Sequence, residues 1–328
     1  MVTGSLIGRL GIVFLAFGMS MALAQERLGV GGGPAGGSFF PIATGIAETI
    51  NRNVPHLSAS AEATGGGAEN IVLIGDQRID FGIVTMDLLY DAHHQHGDFE
   101  GRGFDHVAIM TPGTYDQQLL YVHADSDVES VEDLAGRRVQ VGPAGSASAV
   151  MWQRVFEHQG IDIRAEFMSY SDAASTFRDG LIAAIVNSTG NFVGERLFEN
   201  PTMVELEATA DLRAISPFAD DAAREGFFEA YPLYVSSEVA PGTFEFIAEP
   251  LEAVGIQILL GVRGDLDEQV VYDVVSALFE NPDQLEDFHP YARGYGLEEG
   301  VRVLAASGPP VPFHPGALRY YEERGLIE

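Results

Sequence analysis

From Leu28 onward, short apolar runs alternate with stretches in which apolar side chains recur every three or four positions, the rhythm of α/β units. Residues 28–30 predict a strand and 31–37 a loop. Ala43, Ile46, Ala47 and Ile50 then fall at i, i+3, i+4 and i+7, the spacing of one helix face. Residues 57–63 read as a strand, 68–76 as a helix and 81–84 as a buried strand, with a helix starting near Asp87. A second set follows: strands at 106–110, 119–123 and 138–141, a helix over 147–159, a strand at 167–169, a helix over 172–179 and an apolar run at 181–186. After a strand at 213–215 and a helix at 221–230 comes a strand at 256–262. Val271, Val274, Val275 and Leu278 mark a further helix.

Two clusters of βαβ units, with the tail returning after the second, predict an α/β fold of two lobes, each a mixed sheet flanked by helices. Residues 25–116 plus 235–328 form lobe 1 in this reading and residues 117–234 lobe 2. The chain crosses near Asp116 and Tyr234, and the cleft between the lobes is the expected ligand site. Residues 1–24 stand apart. Arg9 is their sole charged side chain, an apolar run follows from Leu10, and Ala22-Leu23-Ala24 precedes Gln25, the pattern of a secretory signal peptide cut after Ala24. The expected mature protein is exported and periplasmic.

Composition narrows the chemistry. The 328 residues hold 48 Asp plus Glu against 18 basic residues, all of them arginine, for a net charge of -30. With no lysine, a pyridoxal Schiff base and the usual phosphate-binding P-loop are excluded. With no cysteine, so are disulfides and thiolate metal sites. A surface this acidic repels polyanions, which disfavours nucleic acid as a partner.

Glycine is where the chain is most informative. Gly31, Gly33 and Gly36 have the Gly-x-Gly-x-x-Gly spacing between a strand and a helix. A dinucleotide is nevertheless a poor fit, because Glu62 is the only acidic residue near the end of the second strand and an exported protein rarely meets NAD. No cofactor is expected. The more general reading is that glycines let a ligand approach backbone N–H groups at the positive end of a helix, which favours an anion without any basic side chain. The pattern recurs at Thr64-Gly65-Gly66-Gly67 and at Gly142-Pro143-Ala144-Gly145-Ser146-Ala147, each before a helix. The alternative for each loop is a tight turn with no ligand.

At this point the chain resembles a known family. Residues 31–41, Ala63-Thr64-Gly65-Gly66 with Glu69-Asn70, and Asp80-Phe81-Gly82-Ile83-Val84 with Tyr90-Asp91-Ala92 are similar to the TAXI family of TRAP-transporter solute receptors. So are residues 141–146, Tyr231-Pro232-Leu233-Tyr234-Val235 and Pro312-Phe313-His314-Pro315-Gly316. The resemblance implies a two-lobed periplasmic binding protein of type II-like fold, not an enzyme. It closes as a monomer on a small anionic solute, such as glutamate or a related carboxylate, and delivers it to a TRAP-type membrane permease. A ligand-sensing periplasmic subunit of a signalling system is the other reading. The resemblance implies a site formed by Gly36, Gly37, Ser38 and Phe39, by Thr64, Gly65 and Gly66, and by Gly145, Ser146 and Ala147 from the opposite lobe.

The chain departs from the family pattern at Thr85-Met86, where Gln-Ser is common, so that a thioether would face the cleft. It departs again at Asn187, Ser188 and Thr189, which could contact the far end of the solute or cap a helix from Phe192. Tyr231 is a further candidate, near the supposed crossing. His93, His94 and His96 suggest a metal site, but adjacent histidines on a helix point about 100° apart, so a solvated loop is the competing reading. Arg137-Arg138 is a candidate carboxylate fork, although its place before a strand favours a surface pair, and Trp152 reads as core.

Overall fold

The computed structural model describes residues 25–34, 37–193 and 196–327. The expected signal peptide and Gly36 lie outside these residues. The first half opens with β1 (Glu26–Gly31), α1 (Phe39–Asn53), β2 (Leu57–Glu62), α2 (Gly67–Gly75), β3 (Phe81–Thr85) and α3 (Met86–His94). β1 pairs in parallel with both β2 and β3, so each intervening helix is a crossover and its N-terminus lies just beyond the C-terminal end of a strand. Buried Asn70 fastens these crossovers together. Its Nδ2 donates to the carbonyls of Gly32 and Ile83, both at 2.7 Å, and its Oδ1 accepts from the Thr64 hydroxyl at 2.8 Å.

The chain continues through β4 (Val107–His123), β5 (Arg138–Gly142), α4 (Ala147–His158), β6 (Arg164–Phe167), α5 (Tyr170–Arg178) and β7 (Ala184–Val193). Next come β8 (Arg196–Glu199), α6 (Pro201–Glu207), β9 (Leu212–Ile215), α7 (Asp221–Ala230), β10 (Tyr234–Val239) and β11 (Leu251–Arg263). The tail adds α8 (Glu268–Glu280), α9 (Pro282–Glu286), α10 (Glu298–Ser307) and α11 (Pro315–Glu323). The strand order is β2-β1-β3-β11-β4-β7-β5-β6. The two long central strands, β4 and β11, therefore join the halves. β11 pairs with β3 at residues 258–262 and with β4 from Val254 to Arg263, through register shifts around Leu259 and Leu260. Such irregularities bend a strand where one half of the sheet passes into the other.

β4 differs from the expectation of two strands. It is continuous because Tyr115 to Gln118, largely polar and thus unlike strand on sequence grounds, are still laddered to β11 and β7. A polar run survives inside a strand when its side chains meet polar partners or an open cleft rather than a dry core. β7 also corrects the sequence reading: it runs through Val193 and pairs with β8, so Asn187, Ser188 and Thr189 cap no helix from Phe192.

Two apolar clusters fill the interior, the first reaching across both halves to Val139 and Val141 of β5 and Trp152 of α4. One packs Ile42, Ile46 and Ile50 of α1 with Val271, Val274 and Leu278 of α8. The other joins Leu119 and Tyr121 of β4 with Phe177, Met203 and Leu206, and it includes Val239, Phe244, Ile247 and Ala253. Each fully buried Leu, Ile or Phe contributes about 1.5–3 kcal/mol relative to exposure. Val239, Phe244, Ile247 and Ala253, in a segment that the sequence reading groups with the first half, pack in this second cluster against Leu119 and Tyr121. No helix among the described residues is long and apolar enough to cross a membrane.

Candidate functional site

Each of α1 to α4 begins where a strand has just ended, and their N-cap residues, Ser38, Gly66, Thr85 and Ser146, line a single cavity between the halves. The cavity encloses about 770 Å³ of atom-free space, including its opening to solvent. The first turn of a helix leaves N–H groups without intrahelical partners, so such a junction is electropositive. Local sequence explains two of the junctions. Gly66 holds φ +115° and ψ −157°, a conformation open in practice only to glycine, and it brings its backbone under Ser146. Gly142 holds φ +116°, and a Cβ there would stand 2.9 Å from the Ser146 hydroxyl. Ser146 Oγ accepts from the Ala149 N–H at 3.2 Å, which leaves its own proton free to donate.

The opposite wall comes from β4, β7, α5 and the turn before α10. Asp116, Gln118, Ser188, Asn191, Tyr170 and Tyr291 line it. Asp116 is 8% exposed. The Ser188 hydroxyl donates to its Oδ1, and Gln118 Nε2 donates to its Oδ2 at 2.7 Å. Gln118 is itself fixed, because Trp152 Nε1 donates to its Oε1 at 2.9 Å and its Nε2 also reaches Ser148 Oγ at 2.8 Å. Burial pushes the Asp116 carboxyl up to about 6, against the pull of the Ser188 and Gln118 hydrogen bonds. Among the described residues lining the cavity there is no arginine or histidine.

A second buried polar cluster lies beside the cavity. Arg154 Nη1 donates to Asp87 Oδ2 at 3.3 Å and to the Tyr234 hydroxyl at 2.9 Å, and Nη2 donates to Asp91. Tyr234 donates to Asp87 Oδ2 at 2.6 Å and Thr85 donates to Asp87 Oδ1 at 2.6 Å. Burial pushes the Asp87 carboxyl up, opposed by the hydrogen bonds from Thr85 and Tyr234 and by the Arg154 charge. Since Arg154 stands on α4 and both acids on α3, this cluster ties the two halves.

Of the residues expected at the site, Gly37, Ser38, Phe39, Gly66, Thr85, Ser146, Ala147, Asn187 and Ser188 line the cavity. Others serve it from behind or stand apart. Thr64 is spent on Asn70 and on the Gly66 N–H, which donates to its hydroxyl at 3.2 Å. The Gly65 N–H donates to Glu69. Gly145 makes the turn before α4 at φ +74°. Met86 is packed in the apolar core at 4% exposure, so no thioether faces the cavity. Thr189 Oγ1 donates to the Gln117 carbonyl at 3.2 Å, and Tyr231 lies over Phe227 with the Arg154 guanidinium 5.4 Å from its ring. Sequence reasoning missed Asp116, Gln118, Tyr170 and Tyr291. For the first two a signal existed, a run of polar residues where the strand pattern should stay apolar.

No group of three or more metal-ligating side chains occurs among the described residues. His93 Nε2 and His94 Nδ1 are instead occupied by the carbonyls of Val107 and Tyr90. Arg137 pairs with Asp127 at 2.8 Å and Arg138 with Glu166 at 2.7 Å, both at the surface.

A mixed sheet flanked by helices, with its cavity at the junction between halves, is the fold of the periplasmic binding proteins. The solved structure of the periplasmic binding protein BugD is similar over 92% of this chain and 98% of its own, at 12% identity and TM-score 0.55. XAC2383 from Xanthomonas citri, solved bound to ATP, is similar over 93% and 100%, at 11% identity and TM-score 0.52. The chain belongs to the NMT1-like family, whose model matches residues 30–325.

Proposed function

We propose that this protein is an extracytoplasmic solute receptor of the TAXI type, which closes over a small carboxylate and hands it to a TRAP-type membrane permease. In this reading the leader is cut after Ala24 and the mature chain works in the periplasm as a monomer that catalyses no reaction. The lobes are residues 25 to about 115 with the chain from mid-β11 onward, and the segment between. The observation that carries it is the meeting of four helix N-caps, Ser38, Gly66, Thr85 and Ser146, on one cavity without a basic side chain among the described lining residues. Partial positive charge from main-chain N–H groups and protons from Ser38 and Ser146 then hold the carboxylate. Because the caps come from both halves, a ligand touching all of them favours the closed arrangement over an open one. Thermal unfolding with a panel of amino acids and mono- and dicarboxylates tests the reading. A true ligand at 100 times its Kd adds about 2.7 kcal/mol, and a panel without a single stabilising compound overturns it.

A further inference from the structure

We infer that the solute carries an ammonium group beside its carboxylate, as an α-amino acid does, and that Asp116 receives that group; this rests on the receptor reading above. Asp116 presents a buried carboxylate to the cavity, and its hydrogen-bond partners among the described residues, Ser188 and Gln118, are both neutral. A carboxylate has about four acceptor positions, so these two hydrogen bonds leave it half satisfied. Burying an ionised group without a countercharge is costly, and natural interiors pair such groups. The aromatic groups whose titration Asp116 influences are Tyr121 of β4, Tyr170 of α5 and Tyr291, all phenols that burial pushes further up, so none supplies positive charge. Glu199, which also acts on Tyr291, is another acid. His289, its ring 4.6 Å from that of Tyr291, is pushed down to about 4 by burial and stays neutral above that pH. Arg154 is engaged by Asp87 and Asp91.

A second observation points the same way. The Tyr291 hydroxyl is buried, belongs to a residue lining the cavity, and has no hydrogen-bond partner among the described residues. The cavity thus has one electropositive wall of helix starts and one wall with a fixed negative charge and an unused hydroxyl. A zwitterion complements both walls, whereas a dicarboxylate would set a second negative charge toward Asp116.

Calorimetric titration of the mature protein, freed of carried-over solute, tests this with matched probes at pH 8: L-glutamate and L-glutamine against glutarate, and L-alanine against propionate. An amino acid binds, and its nitrogen-free counterpart binds about 100-fold more weakly, a large discrimination of the kind a built polar site makes. Asp116→Asn lowers affinity for the amino acid by about 100-fold with an intact melting transition; if that variant fails to fold, Ser188→Ala, which removes one of the two donors fixing the carboxylate, lowers it by about tenfold. In the wild type, affinity for the amino acid falls by about tenfold per pH unit below pH 6, as Asp116 takes up a proton while the ligand's ammonium keeps its charge. Glutarate or propionate binding as tightly as its amino counterpart, or an Asp116→Asn protein of unchanged affinity, overturns the inference and leaves the receptor reading standing. If no probe of either kind binds, both fall.

Discussion

Asp87 and Asp116 are both buried aspartates beside one cleft, the first in the opening turn of α3 and the second midway along β4, and they differ in the sign of their company. Asp87 has a guanidinium at 3.3 Å, a phenol and a threonine hydroxyl, all from the chain itself. Among the described residues, Asp116 has a serine and a glutamine, both neutral. A buried charge completed from within is part of the scaffold. A buried charge left for something outside the chain to complete belongs to recognition, and the chain bears its cost until that partner arrives.

The largest effect should come from breaking the completed site. Arg154→Met leaves Asp87 and Asp91 without their cation and should cost about 3–5 kcal/mol in urea unfolding at pH 7. A loss below 1 kcal/mol would mean that the pair is not structural. The opposite sign is expected at Asp116. Its folded carboxyl lies near 6 against an ordinary 3.8, so between those values the folded chain binds a proton that the unfolded chain does not. This group's contribution to stability is therefore greatest below pH 4 and is lost as pH rises through 6. Asp116→Asn should then make the ligand-free protein more stable at pH 8 by roughly 2–3 kcal/mol and flatten that part of its pH profile. Destabilisation at pH 8 would place Asp116 with Asp87 as a structural group.

Gly66→Ala sharpens the contrast from the helix-start side. The new methyl would meet Ser146 only at ordinary contact distance, so its cost of about 1–3 kcal/mol comes from the backbone at φ +115° and should appear in unfolding even without ligand. The smallest effect belongs to a pair exposed to water: Arg137→Ala should leave the urea midpoint unchanged, because solvent screens its contact with Asp127.

Periodicity made most of the fold legible. The expected helix at 221–230 coincides with Asp221–Ala230, and that at 147–159 overshoots Ala147–His158 by one residue. Failure came where a cleft interrupts the apolar pattern, since Thr114 to Gln118 belong to a strand whose polar side chains face partners that no local window contains. The site divides likewise. Glycine-rich helix starts were readable because their requirement is local, a backbone shape and an uncapped turn. Asp116, Tyr170 and Tyr291 were not, because strand pairing and lobe packing bring them together from distant positions. Tyr231 shows the converse: an aromatic residue near a supposed crossing that packs on Phe227 and Arg154 and lies outside the cavity lining.

The central claim, that main-chain N–H groups at helix starts hold the solute's negative charge, is tested most directly by a crystal structure of the protein with its solute bound. The account predicts carboxylate oxygens within hydrogen-bond distance, about 2.7–3.2 Å, of backbone nitrogens at the starts of α1, α2 or α4. A carboxylate gripped instead by an arginine guanidinium, with those nitrogens out of reach, would contradict it.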